Sequence, residues 1–125
     1  MNTRVVNVKV KYIRPKYNDL KAWCEDDNNI YIGRAGPVFV QVEQKKERYP
    51  KQASTWCNPF KVTAKVPLDE SLRLYREHLL EMLDDEDTLE SFVLLEGKTL
   101  GCWCKPERCH GDVISEVLAD VLASR

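Results

Sequence analysis

From Arg4 to Tyr12 apolar and polar residues alternate, with Val6, Val8 and Val10 on one face and Asn7, Lys9 and Lys11 on the other. A period of two predicts a half-buried strand. Pro15 to Asn29 is polar, with Trp23 and Cys24 as its strongly apolar members and Asn28-Asn29 as a turn signal. It reads as a surface loop pinned by Trp23. Short apolar runs at Ile30–Ile32 and Val38–Val42 predict two further strands, separated by Gly33-Arg34-Ala35-Gly36. Gln44 to Lys51 sets Lys45, Lys46, Arg48 and Lys51 around Tyr49 and Pro50, and reads as a solvated basic loop. In Ser54 to Phe60, Asn58-Pro59 marks a turn, because a residue before proline is held out of the helical region. Trp56 and Phe60 would anchor that turn.

The period changes at Leu68. Leu72, Tyr75, Leu79, Met82 and Leu83 form one helical stripe, with Asp69 placed to cap its start. After the acidic turn Asp84–Asp87, Asp87 and Glu90 match a capping box for a second helix carrying Leu89, Phe92 and Val93. Gly97 suits the turn that follows it. Thr99–Cys104 then reads as a strand ended by Pro106, Lys105–Arg108 as a tight loop, and Cys109 as the mouth of a last helix. Val113, Ile114, Val117, Leu118, Val121 and Leu122 supply that helix with an apolar stripe. The expected fold is α/β: one compact domain over residues 1–125, a small three- to five-stranded sheet with packed helices, and a C-terminal amphipathic helix.

Composition narrows the function classes. With 43% apolar and 31% charged residues the chain fits a globular domain. A net charge of −1 argues against bulk electrostatic attraction to nucleic acid, leaving it the less favoured partner. No run approaches the length of a membrane span and no apolar signal segment opens the chain. Five cysteines, three of them within eight positions, make a poor disulfide framework. They suit free or metal-bound thiols in a reducing, cytoplasmic compartment.

The chemistry concentrates at Lys98–Asp112. In α/β folds ligands sit at the carboxyl ends of strands, where a helix N-terminus offers free N–H groups. Cys109 at such a terminus, beside His110 and three residues before Asp112, is a candidate nucleophile with His110 as acid/base, and Asp112 orients the ligand. Arg34, flanked by Gly33 and Gly36, is a candidate anion clamp. Trp56, Asn58 and Gly111 complete the expected pocket. Its occupant would be a small anionic or nucleotide-like molecule, with no cofactor. The alternative is a zinc-stabilised module that binds nucleic acid or protein without catalysis, its ligands drawn from Cys102, Cys104, Cys109 and His110. Adjacent Cys109 and His110 diverge by about 100° at a helix start, which makes their sharing one metal awkward.

Four segments together resemble a known family: Tyr31-Ile32-Gly33-Arg34; Ser54-x-Trp56-x-Asn58-Pro59-Phe60; the Ser71–Leu79 helix; and Gly97-Lys98-x-Leu100-x-Cys102-Trp103-Cys104-x-Pro106-x-x-Cys109-His110-Gly111-Asp112. They resemble domain of unknown function family 4326, over roughly Ile30 to Leu118. The resemblance implies a shared fold and pocket and a viral or phage source, hence a host-cell location. It implies no substrate. Cys57 stands where family members usually have glycine.

Overall fold

The computed structural model describes residues 3–125 as five strands in two sheets and five helices, joined into a compact mixed α/β unit. Strand β1 (Arg4–Asn7) and strand β2 (Asn29–Tyr31) both pair in parallel with β5 (Thr99–Cys102), giving the order β1-β5-β2. The three strands therefore end on one side of the sheet. All four residues of β5 are buried, as expected of a central parallel strand covered on both faces. Leu100 and Cys102 belong to the larger core, against helix α3 (Leu68–Met82), helix α4 (Glu86–Val93) and helix α5 (His110–Ala123). Gly101 faces the other way. A Cβ there would lie 2.5 Å from the Trp23 ring and 2.6 Å from Val8, so only glycine lets that second core close on the strand.

That second core rests on two short helices, α1 (Val10–Ile13) and α2 (Leu20–Cys24), through Val8, Ile13, Leu20 and Trp23. Both correct the pattern reading. The alternation from Arg4 to Tyr12 is strand only as far as Asn7, whose side chain bends the chain. Its Nδ2 donates to the Lys105 carbonyl (2.6 Å) and its Oδ1 accepts from the Lys9 amide (2.9 Å). The polar stretch Pro15–Asn29 contains α2, started by Asp19, whose carboxylate accepts the Ala22 amide at 2.8 Å. Leu20 and Trp23, three apart, give α2 its buried face.

The basic stretch after Val42 is likewise a strand. β3 (Val38–Val42) and β4 (Lys45–Tyr49) form an antiparallel hairpin, with Glu43 in the left-handed region (φ 57°) at its turn. Arg48 stacks on its cross-strand neighbour Phe39 at 4.7 Å, and Val38 and Tyr49 pack on the second core.

The helical stripe of α3 is as read: Leu72, Tyr75 and Leu79 are buried, each leucine contributing roughly 1.5–3 kcal/mol. Its N-cap is Pro67, so Asp69 lies inside the first turn, where it favours the helix dipole. α4 starts two residues earlier than the Asp87–Glu90 box predicts, because Asp85 accepts the Thr88 amide at 2.9 Å. β5 ends at Cys102, before Pro106 is reached. No helix among the described residues is long and apolar enough to cross a membrane.

Candidate functional site

The loop from β5 to α5 lies over the carboxyl ends of the parallel strands. Cys109 is the N-cap of α5, and its amide donates to the Asp112 carboxylate at 3.0 Å. Asp112 also pairs with the Lys105 ammonium at 2.5 Å. A carboxylate of the chain itself thus occupies the positive end of the helix, where a ligand anion was expected. Burial works against the Lys105 ammonium, but its hydrogen bond to Asp112 and that residue's charge outweigh it and hold the pKa above the usual lysine value. Gly111 is a packing glycine: a Cβ would come within 2.7 Å of Val5 and 3.0 Å of Ile32. It lets α5 press onto β1 and the end of β2.

The cysteines sit otherwise than their spacing suggests. Cys109, expected at an exposed helix mouth, is 2% exposed, and Cys102 is 1% exposed. Cys104, read as the last residue of the strand that holds Cys102, lies past its end and is exposed. The Sγ atoms of Cys102 and Cys109 are 3.3 Å apart. The polar groups of Cys104, then the Cys109 thiol, lower the Cys102 pKa well below the thiol range against burial. Cys102, then Cys104 and burial, push Cys109 far above it. Either sulfur of the Cys102–Cys109 pair can hold the proton between them. Among the described residues no group of three or more His, Cys, Asp or Glu is arranged to hold a metal ion.

His110 is buried, and its Nε2–H donates to the Ile32 carbonyl at 2.7 Å. Burial lowers its pKa, opposed in part by that hydrogen bond, so the ring is neutral at neutral pH. Its ring meets Tyr75 edge-on at 5.1 Å. One ring nitrogen of His110 is thus taken up by the Ile32 carbonyl, while the Cys102 and Cys109 sulfurs lie against each other.

The remaining motif residues are gathered around this point but spent on one another. The Tyr75 hydroxyl donates to the Trp56 carbonyl at 2.7 Å, and the Trp56 ring packs on Phe92. Asn58 donates from Nδ2 to Ser71 Oγ (3.0 Å) and accepts the Phe60 amide (2.9 Å), holding a corner rather than facing a ligand. The Ser54 amide donates to the Gly33 carbonyl at 3.0 Å, which joins that corner to β2. Buried Gly33 lies under the Tyr31 ring. Exposed Arg34 follows it, its carbonyl accepting the Tyr31 hydroxyl, which in turn accepts the Trp103 indole N–H (2.8 Å each).

Open space lies beyond the loop. A groove of about 480 Å³ is bordered by Asn7, Lys9 and Tyr12 from the β1 side and by Trp103, Cys104, Lys105 and Arg108 from the β5–α5 loop. Tyr12 is 55% exposed, and Arg108 pairs at the surface with Asp69. Sequence reading missed Lys9, Tyr12, Trp103, Lys105 and Arg108 as a set. The available signal was the loop between strand and helix, taken with parallel pairing that carries β1 alongside β5. Across Arg108 a second groove of about 400 Å³ runs between α3 and α5, bordered by Arg73, Arg76, Asp112 and Glu116.

The family model described as Domain of unknown function (DUF4326) matches residues 16–120. The chain belongs to that family. The DUF4326 segment takes in α2, β2 through β5 and most of α5, with all the cysteines, whereas β1, Lys9 and Tyr12 precede it. Searches of curated proteins and of solved structures found no match.

Proposed function

We propose that this DUF4326 domain binds a small anionic, nucleotide-like ligand in the groove over the carboxyl ends of its parallel strands. The observation that carries the reading is the lining of that 480 Å³ space: two aromatic side chains, Tyr12 and Trp103, together with the cations Lys9, Lys105 and Arg108 against one carboxylate, Glu107. Flat rings suit a base, and lysine and arginine suit phosphate. The Arg108–Asp69 pair is 66% and 84% exposed on its two sides, so it holds the guanidinium weakly and a phosphate could replace the carboxylate. The anion role expected of Arg34 passes to Lys9 and Arg108. Cys109 and His110 are buried and engaged with protein partners, which favours a binding domain over the nucleophile and acid/base scheme. The free cysteines agree with a reducing intracellular setting, such as the host cell of a virus or phage.

Calorimetric titration with nucleoside triphosphates and with inorganic phosphate tests the reading. Lys9→Ala and Arg108→Ala should each weaken nucleotide binding about tenfold, or about 1.4 kcal/mol, without lowering the melting temperature. Absence of nucleotide binding, or binding indifferent to both substitutions, refutes it.

A further inference from the structure

Three thiols meet where β5 hands over to α5, and the proposed binding role uses none of them. Two are sealed in the core with their sulfurs 3.3 Å apart, and the third, two residues past Cys102, stands exposed at the groove. We propose that Cys102, Cys104 and Cys109 form a thiol–disulfide exchange site, in which Cys104 admits a low-molecular-weight disulfide and Cys102–Cys109 is the pair finally oxidised.

The roles follow from access and from where the sulfurs lie. Cys104 is the sulfur of the cluster that a small disulfide can reach, since it is exposed and borders the groove. Cys102 precedes it by two residues, and the Cys109 sulfur lies 3.3 Å from that of Cys102. As Cys104 attacks the disulfide R–S–S–R, its proton passes to the departing thiolate, giving one R–SH and a mixed disulfide on Cys104. Cys102 then attacks the Cys104 sulfur, and its proton leaves with the second thiolate as R–SH. Cys109, already 3.3 Å away, attacks Cys102, and its proton passes to the freed Cys104 sulfur. Two electrons pass from the Cys102–Cys109 pair to R–S–S–R. Two protons leave on the two R–SH molecules, and the net charge is unchanged. Cys24 stands apart: burial pushes its pKa up to about 11, and its neighbour is Tyr49.

The test uses the reduced full chain and glutathione disulfide, read by intact mass and by peptide mapping without reduction. The wild-type protein should lose the mass of two hydrogens, show a Cys102–Cys109 link and keep no glutathione. Cys104→Ser should slow the reaction about tenfold or more, and Cys109→Ser should stop it at a Cys102–Cys104 link. A lasting glutathione adduct on Cys104 without an internal link overturns the proposal. So does an undiminished rate in Cys104→Ser, a link through Cys24 or Cys57, or thiols that react only after a chelator is added. Should either variant fail to fold, the wild-type map alone decides.

Discussion

Asn58 separates a residue that faces a ligand from one that holds a corner. Its amide bridges the turn before α3 to the helix itself: Nδ2 to Ser71 Oγ at 3.0 Å, Oδ1 to the Phe60 amide at 2.9 Å. Ser71, 0% exposed, closes the ring by donating to the Phe60 carbonyl. At about 1 kcal/mol for each hydrogen bond, Asn58→Ala loses two and costs about 2 kcal/mol. Ser71→Ala also loses two. The double variant loses three rather than four, because the Asn58–Ser71 bond is common to both. A double-mutant cycle should therefore show a coupling of about 1 kcal/mol. Urea denaturation of the four proteins reads this directly, with m unchanged, and each single variant should melt about 8 °C lower, at roughly 4 °C per kcal/mol. If Asn58→Ala costs under about 0.5 kcal/mol, or the coupling vanishes, the corner does not depend on this ring.

His110 makes the fold sensitive to mild acid. Its folded pKa lies below the unfolded value of 6.5, chiefly through burial, so below about pH 6.5 the unfolded chain binds the extra proton. Stability should fall as pH drops from 6.5 toward the folded pKa, and His110→Asn should flatten that slope in denaturant titrations at several pH values. Asp26, Glu70 and Asp85, whose pKa values are lowered from 3.8–4.5, lose their stabilisation only at lower pH, and the lowered Cys102 pKa adds a slope that the variant keeps, so a slope between about pH 5 and 6.5 equal to the wild-type slope contradicts the assignment. Gly111→Ala should destabilise by about 1–2 kcal/mol, since overpacking against Val5 and Ile32 exceeds the gain of up to ~1 kcal/mol in helix propensity. A more stable variant by chemical denaturation would mean that the helix start can move away from the strands.

Local pattern by itself determined the helices α3 and α5, the strands near Ile30, Val38 and Thr99, and Cys109 as the mouth of the last helix. These rest on periodicity and capping, which operate within a few residues and need no knowledge of what lies opposite. Tertiary structure decided the rest. Asn7 ends β1 by bonding to loop carbonyls almost a hundred positions away, so an alternation that continues to Tyr12 is overruled. The basic stretch after Val42 becomes a strand because Phe39 and Val38 offer partners to Arg48 and Tyr49 across the hairpin. Two adjacent residues, Cys109 and His110, part company because one meets Cys102 and the other the Ile32 carbonyl, and those neighbours arrive from different strands. A cysteine at a helix mouth is exposed or buried according to what packs over it. Here β5, with Val5 and Ile32 against Gly111, draws α5 down until its first thiol is sealed, and Cys104, two residues past the strand, is left at the surface.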